Sequence, residues 1–137
     1  MNSDCIFCKI ANGEIPSKTL YEDADFRVIL DIEPVSKGHA LILPKEHFHD
    51  IYDLNEEISK KVFVLAVKMA REIKDTLKCD GFNILQNNGI DGGQTVFHFH
   101  MHLIPRYKND DVGLQTRGRT SIEYDLGDIE KIIKREV

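Results

Sequence analysis

Three histidines alternate with large apolar residues in the run Phe97-His98-Phe99-His100-Met101-His102-Leu103-Ile104. Successive side chains of a β-strand point to opposite faces of the sheet. The run therefore predicts a strand with His98, His100 and His102 on one face and apolar side chains on the other. Three partly exposed histidines on a solvated face are the structural alternative. A face made only of imidazoles is difficult to explain by packing, and it indicates one wall of an active site.

The spacing of the three histidines indicates that they do not all share one task. Alternate Cα atoms of a strand lie about 6.7 Å apart, which puts His98 and His102 roughly 13 Å apart. One metal ion could bind two neighbouring members but not easily all three. A neutral histidine acts as a nucleophile, a base or a metal ligand, and the hydrogen bond at its other nitrogen selects the role.

A glycine-rich loop precedes this strand, with the sequence Asn87-Asn88-Gly89-Ile90-Asp91-Gly92-Gly93-Gln94-Thr95. Gly92 and Gly93 permit unusual backbone angles and close approach of a ligand. Successive N–H groups in such a turn can form a nest for an anion, and Gln94 and Thr95 add side-chain donors. A tight turn without a ligand is the alternative. The position of the loop beside the histidines favours a phosphate site.

Composition bounds the class of protein. The chain has 137 residues, of which 42% are apolar and 30% are charged, and it carries a net charge of −5. These values are typical of one soluble globular domain and argue against a broad basic surface for nucleic acid, although a nucleotide could still bind locally. No signal peptide or apolar run of about 20 residues is evident, so we expect a cytoplasmic protein. Three cysteines do not indicate a disulfide framework there, and Cys79 is interpreted as a small, half-buried residue.

The periodicity predicts an antiparallel α+β fold. A hairpin of early strands is expected, then a long helix, then a second hairpin that contains the histidine run. The helix should begin with an Asp53/Glu56 capping box and end near Asp80-Gly81. Its apolar stripe consists of Ile58, Val62, Leu65, Met69, Ile73 and Leu77. Strands are predicted at residues 19–22, 26–31, 39–43, 82–86 and 96–106, with short helices within residues 5–15 and 124–133.

These motifs together resemble the histidine-triad superfamily, whose signature His-φ-His-φ-His-φ-φ, with φ apolar, is matched by residues 98–104. The chain is most similar to the Hint branch. Further matches are the segments 26–34 (FRVILDIEP), 38–47 (GHALILPKEH) and 87–95 (NNGIDGGQT). The resemblance implies a HIT-like fold of about five antiparallel strands with one long helix. It covers residues 5–106 of a single domain, 1–137, and leaves residues 107–137 as a C-terminal extension.

The resemblance implies covalent catalysis at the α-phosphate of a nucleotide. His100 would be the nucleophile and form a nucleotidyl-histidine that water cleaves. His102 would contact the phosphate, and His39 would be a fourth histidine of the active site. Gly93, Gln94 and Thr95 would hold the phosphate, with Gln94 or Thr95 assisting the leaving group.

The same resemblance implies a nucleotide pocket. Asp31 would accept hydrogen bonds from the ribose hydroxyls, although a turn residue at the end of a strand is the alternative. Asn87 would lie near the phosphate and ribose. A largely apolar slot for the base would be formed by Phe7, Ile10, Phe26 and Ile32, for each of which a place in the core is the alternative.

The pair Cys5-Ile6-Phe7-Cys8 has the spacing of a zinc knuckle, but two unliganded cysteines or a redox pair have the same spacing. Similarity to bacterial members of the family implies Zn²⁺ bound by Cys5, Cys8, His47 and His98. A closed four-ligand shell is structural rather than catalytic. His49 is a competing ligand to His47, with a solvated surface residue as its other interpretation.

Several functions remain open from the sequence. The resemblance favours a hydrolase or transferase acting on purine nucleoside phosphoramidates. The alternatives are a dinucleoside polyphosphate hydrolase, a nucleotide-binding regulatory module, and a zinc hydrolase with His100 and His102 as ligands. The family relationship also implies a homodimer that pairs the long helices and joins the sheets, and Arg117 and Arg119 of the extension are candidates for a partner contact.

Overall fold

The computed structural model describes residues 4–120 and 123–136. Its helices are α1 (Ile6–Ala11), α2 (Glu56–Leu77) and α3 (Leu126–Glu136). The strands are β1 (Thr19–Glu22), β2 (Phe26–Leu30), β3 (Ala40–Pro44), β4 (Gly81–Leu85) and β5 (Met101–Arg106). A short 3-10 helix spans Ile90–Gly92.

The five strands form one antiparallel sheet in the order β1-β2-β3-β5-β4. The predicted α+β class is confirmed. The first three strands form a meander rather than the predicted single hairpin. Gly38 ends the turn before β3 with φ +89°, and a Cβ there would lie 2.4 Å from Leu77 Cδ1, so only glycine fits.

Helix α2 forms because its apolar residues recur every three or four positions, and it buries that stripe on the sheet. Its ends differ from the prediction. Asn55, not Asp53, is the N-cap and accepts from the N–H of Ile58 at 2.8 Å, because Asp53 accepts from the N–H of His49 instead. Lys78 adopts the left-handed conformation that ends the helix, so the expected ending at Asp80-Gly81 is wrong.

The two faces of the sheet carry different clusters. One face packs against α2 and includes Phe26, Val28, Ile42 and Leu103. The opposite face carries a smaller cluster of Ala11, Ile29, Leu41 and Leu43, against which Phe7 and Ile10 of α1 pack. His102 pairs with Leu41 and Leu85 in the sheet, which places its side chain on the α1 face.

The histidine run is only partly a strand. The ladder begins at Met101, so the predicted strand from Val96 is too long by five residues, and His98 and His100 lie before it. Phe99 is nevertheless buried in the core, where its N–H donates to the carbonyl of Phe48 at 2.6 Å. Phe97 is partly exposed and stacks on His49, so it does not join the apolar face.

The C-terminal part of the chain differs from the rest in being largely exposed. Residues 111–120 have no regular secondary structure and are largely exposed. Helix α3 begins and ends slightly later than the predicted range 124–133, and its apolar side chains Leu126, Ile129, Ile132 and Ile133 are exposed. In residues 4–120 and 123–136 no helix has the length and apolar character needed to cross a membrane.

Candidate active site and metal cluster

Four side chains from three parts of the chain converge at the N-terminus of α1. Cys5 and Cys8 come from that helix, His47 follows β3, and His98 precedes β5. Their donor atoms all lie within 4.8 Å of one another. Cys8 Sγ is 3.2 Å from His47 Nδ1, and His98 Nδ1 is 3.4 Å from both sulfurs. His49 is not part of this group, because its exposed ring contacts Asp50 and Phe97.

Local hydrogen bonds explain why this group is preorganised. The N–H of Cys8 donates to Cys5 Sγ at 3.3 Å, which turns both sulfurs to the same side of the helix start. The side-chain amide of Asn12 donates to the carbonyls of Cys8 and Lys45 and ties α1 to the end of β3. His98 Nε2 donates to the carbonyl of Pro44 at 2.8 Å, so its Nδ1 presents a lone pair to the sulfurs.

These distances fit a cation with tetrahedral coordination. A zinc ion bonded at about 2.3 Å to sulfur and 2.0 Å to nitrogen keeps the two ligand atoms about 3.5 Å apart. The observed sulfur–nitrogen separations of 3.2–3.4 Å are close to this value. Two sulfurs and two imidazoles are also the ligand set that Zn²⁺ prefers. The four residues could therefore hold a metal ion in a closed shell.

His100 lies outside this cluster and makes a hydrogen bond of its own. Its Nδ1 lies 2.7 Å from the carbonyl of His98, and since a carbonyl only accepts, Nδ1 carries the proton. The neutral ring therefore has its lone pair on Nε2. The edge of Phe7 contacts this ring, with centroids 4.9 Å apart and planes at 90°. The arrangement leaves a fixed, nucleophilic Nε2.

His39 and His102 form a directed pair. The N–H of Val35 donates to His39 Nδ1 at 3.1 Å, so the neutral ring carries its proton on Nε2. That Nε2 is 3.0 Å from His102 Nδ1 and donates to it. His102 must then carry its own proton on Nε2. The ring centroids of His100 and His102 are 5.0 Å apart, so a proton donor stands next to the nucleophile.

Burial keeps these imidazoles neutral. Desolvation lowers the pKa of His39, His98, His100 and His102, because the charged form loses its water. The pKa of His102 falls to about 4, to which repulsion from His100 and His39 also contributes. Asp31 opposes the shift at His39, His100 and His102. At neutral pH the site therefore offers one free Nε2 and one Nε2–H.

A second group of ligand-type side chains consists of Asp31, His39 and His102. Asp31 Oδ2 is 3.5 Å from His39 Nε2. A cation bound there would need the lone pair of His39 Nε2, but the hydrogen bond from Val35 keeps a proton on that atom. The group is therefore better suited to donating a hydrogen bond through His102 Nε2–H than to binding a metal.

The glycine-rich loop differs in detail from the sequence expectation. The N–H groups of Gly92, Gly93 and Gln94 already bond to carbonyls within the loop, so they do not form the expected anion nest. Gly93 has φ +92°, a conformation that favours glycine, and it packs beside Asn87. Within the described residues Thr95 keeps a free N–H and hydroxyl, and it is exposed.

Gln94 is a correction to the predicted phosphate contacts. Its side chain is 3% exposed. Its Nε2 donates to the carbonyls of His49 and Val96, and its Oε1 accepts from the N–H of Gly89. All its polar atoms are engaged, so Gln94 supports the loop and is not available to a phosphate or a leaving group.

The expected base slot is also partly corrected. Phe7 and Ile10 lie on the α1 face beside the histidines, and Ile32 is almost fully exposed next to Asp31. Phe26 is wrong as a slot residue, because it is buried on the α2 face of the sheet. Sequence reasoning missed Ile29 and Leu41, which lie on the α1 face. The alternation of β2 could have found Ile29, since it shares a face with Asp31 and not with Phe26.

A protein-family model described as the HIT domain matches residues 12–109 of the chain. Among relatives, the chain is 48% identical over 108 residues to protein hit of Bacillus subtilis, covering 79% of this chain and 74% of that protein. It is 43% identical over 110 residues to an adenosine 5'-monophosphoramidase of Schizosaccharomyces pombe, covering 80% and 79%.

Solved structures of HIT family proteins superpose on most or all of the chain. A HIT family protein from Bacillus anthracis gives a TM-score of 0.92 at 43% identity and covers 100% of this chain and 99% of that one. A zinc-bound histidine triad family protein from Mycobacterium smegmatis gives 0.77 at 37% identity, covering 85% and 84%.

Proposed function

We propose that this chain, which belongs to the HIT family, is a nucleotide hydrolase or nucleotidyltransferase that acts through His100. The observation that carries the proposal is the proton on His100 Nδ1, held by the carbonyl of His98 at 2.7 Å. This bond leaves Nε2 free to attack without first losing a proton. The neighbouring Nε2–H of His102 is a hydrogen-bond donor for the phosphate on which charge develops.

In the first step His100 Nε2 forms a bond to the α-phosphorus of a bound nucleotide. The bond from phosphorus to the leaving group breaks, and a phosphoramidate that is protonated on nitrogen releases a neutral amine. His102 Nε2–H donates a hydrogen bond to the phosphate, and His39 Nε2–H holds that tautomer by donating to His102 Nδ1 at 3.0 Å. Thr95 donates to the phosphate oxygens from its free N–H and hydroxyl.

In the second step water attacks the phosphorus of the nucleotidyl-histidine. The bond to His100 Nε2 breaks and the ring regains its lone pair, which releases a nucleoside monophosphate. One proton of the attacking water passes to solvent, and His102 keeps its Nε2–H directed at the phosphate. An acceptor other than water in the same position gives nucleotidyl transfer.

The nucleotide itself would lie on the α1 face of the sheet. Asp31 is partly exposed just after the end of β2, and its carboxylate would accept from ribose hydroxyls. The base would contact Phe7, Ile10 and Ile32, with Ile29 and Leu41 beneath them. Asn87 and Gly93 shape the phosphate end of the pocket. Purine nucleoside phosphoramidates are the proposed substrates, in keeping with the relative named as an adenosine 5'-monophosphoramidase.

Zn²⁺ is the proposed occupant of Cys5, Cys8, His47 and His98. The ligand set and the sulfur–nitrogen distances support it, as does the neighbour described as zinc-bound. Four protein ligands leave no open coordination position, so the ion would supply cross-linking of α1, β3 and the His98 segment. Cysteines that are not paired in disulfides suit a reducing compartment such as the cytoplasm.

A substrate panel tests the reaction class. Adenosine 5'-phosphoramidate, a diadenosine polyphosphate and AMP are incubated with the protein, and kcat/KM is compared. The proposal expects the phosphoramidate to be the better substrate. Preference for the dinucleotide would indicate a polyphosphate hydrolase, and AMP binding without turnover of either compound would indicate a regulatory binding module.

Variants of His100 test the mechanism. His100→Ala should reduce kcat by at least about 10³-fold, because the nucleophile is lost. AMP binding should remain, since the residues that contact base and ribose are unchanged. Rapid alkaline quench of the wild type should yield a protein heavier by one nucleotidyl group, and His100→Ala should not. Full activity of the variant would exclude the covalent mechanism.

A homodimer is proposed as the working assembly. Strand β4 lies at a free edge of the sheet, and Phe63, Val64 and Val67 form an exposed apolar patch on α2. A second copy would cover both. Light scattering should report two chains, and Val64→Glu should give one, whereas Tyr52→Glu, at an exposed aromatic outside α2, should leave the dimer intact. A wild-type monomer at micromolar concentration would exclude this assembly.

A further inference from the structure

The nucleophile is not held by the sheet. The β5 ladder begins at Met101, so neither His98 nor His100 is fixed by strand pairing. Backbone support before that point comes from the N–H of Phe99, which donates to Phe48. The carbonyl of His98, which sets the proton position on His100, depends on how the His98 residue itself is held.

The Cys5/Cys8/His47/His98 cluster is what holds it. The His98 ring is fully buried between the carbonyl of Pro44 at Nε2 and the two sulfurs at Nδ1. Both of its nitrogens are therefore engaged. A metal ion at Nδ1 would fix the ring and with it the carbonyl that receives the proton of His100.

Phe7 makes the second connection between the cluster and the nucleophile. It lies between the two cysteines, so the same ligands that bind a metal set its position in α1. Its ring contacts His98, with centroids 6.2 Å apart, and meets the His100 ring edge-on at 4.9 Å. Phe7, which lies between two members of the Cys5/Cys8/His47/His98 cluster, thus bounds one side of the His100 imidazole.

The geometry points to the metal cluster as a positioning device for His100, with Phe7 and the His98 carbonyl as the two contacts that transmit the position. Phe7 is accordingly a positioning residue and not only a wall of the base slot. The inference rests on the proposed function, since it concerns the nucleophile of that reaction. The larger apolar core lies on the α2 face, away from the cluster, so the sheet and α2 can stay folded without the metal.

The direct test compares Phe7→Leu with Phe82→Leu in the zinc-loaded full chain. Leucine at position 7 keeps the four ligands and much of the apolar contact but removes the ring edge against His100. It should lower kcat about 10- to 100-fold, as expected for a small misplacement of a reacting group, with the dissociation constant of AMP changed less than threefold. Phe82→Leu, in the core on the other face, should leave kcat unchanged.

A purely base-binding role for Phe7 gives the reverse pattern. AMP would bind at least tenfold more weakly in Phe7→Leu, and kcat at saturating substrate would equal that of the wild type. That result would overturn the inference.

Long-range proton–nitrogen NMR of histidine-labelled protein supplies a readout that does not depend on turnover. In the zinc-loaded chain His100 should show one tautomer, protonated at Nδ1. After removal of zinc by a chelator, with the fold monitored by circular dichroism, the His100 signals should become a tautomer mixture, and adding Zn²⁺ should restore the single form.

The outcomes separate the two proposals. An unchanged Nδ1–H tautomer in the folded, metal-free chain, together with an unchanged kcat in Phe7→Leu, would refute the positioning role. If the metal-free chain unfolds, the kcat of Phe7→Leu decides by itself. Retained turnover in His100→Ala would instead refute the proposed function, whatever the tautomer spectrum shows.

Discussion

At the scale of the residue, hydrogen bonds fix two tautomers among the four histidines of the site: Nδ1–H at His100, and Nε2–H at His39, His98 and His102. Pro44 and His98 accept through their carbonyls, and Val35 donates through its N–H. These contacts leave a ligand lone pair on His98, a nucleophilic lone pair on His100 and a proton on His39 Nε2. One side-chain type thus offers both lone pairs and hydrogen-bond donors in one small site.

Gly93 allows a residue-scale prediction with an adjacent control. Gly93→Ala should lower the free energy of unfolding by about 1–2 kcal/mol, because the left-handed backbone at φ +92° is unfavourable for a residue with a Cβ. Gly92→Ala should have little effect, since its Cβ would meet no atom within 4 Å and its φ is not positive. Urea unfolding of both variants measures the difference, and equal stabilities would contradict the conformational argument.

At the scale of the element, candidate site residues lie at the ends of helices and strands. Helix α1 is only six residues long, and its N-cap is Cys5, one of the metal ligands. Strand β5 starts one residue after His100, and β2 ends one residue before Asp31. The reactive groups therefore lie just outside regular pairing, where side-chain contacts and not the ladder fix their orientation.

The end of α2 allows an element-scale prediction. Lys78 has φ 56° and ψ 41°, the left-handed conformation in which a Cβ is unfavourable. Lys78→Gly should raise the free energy of unfolding by about 1 kcal/mol. Lys74→Gly, within the last turn of the same helix, should instead lower it by about 1 kcal/mol. Thermal or urea unfolding checks both, and a loss of stability in Lys78→Gly would contradict this assignment of the helix end.

At the scale of the whole molecule, the two faces of the sheet carry different kinds of residues. The face toward α2 holds the larger apolar core, and the face toward α1 holds the histidines, the cysteine pair and the smaller apolar cluster. Keeping imidazoles buried and neutral on the second face has a consequence for the stability of the whole chain in acid.

The pKa of His102 predicts that consequence. The unfolded chain binds a proton at His102 near pH 6.5, whereas the folded chain binds it only near pH 4. Protons therefore favour the unfolded state, and the stability from neutral His102 is complete above pH 6.5 and is lost as the pH falls towards 4. Urea midpoints at a series of pH values should decline over this range, and His102→Gln should reduce the slope.

A surface variant controls this experiment. His49→Gln removes an exposed histidine outside the buried set and should keep the slope of the wild type. A His102→Gln profile as steep as that of the wild type would show that the group responsible for acid destabilisation lies elsewhere.

The amino-acid sequence by itself determined the family and the α+β class, and it nominated the candidate site residues. The alternating histidines, the Cys-x-x-Cys pair and the glycine-rich loop are local patterns, and so is the stripe of α2. Local patterns are readable because each depends on backbone geometry over a few residues. The convergence of Cys5, Cys8, His47 and His98 was in reach only through resemblance, since they are far apart in the chain.

Only the tertiary structure decided which polar atoms of those residues are free and which face of the sheet each side chain takes. Gln94 is not available to a phosphate, because the backbone groups of His49, Val96 and Gly89 engage all of its polar side-chain atoms. Phe26 faces the α2 core, and Ile29 takes the side toward Asp31. The proton on His100 depends on a carbonyl whose position is fixed by a cluster that four separate residues build. Hydrogen-bond partners and sheet faces depend on the whole fold, because they are set by residues that are distant in the chain.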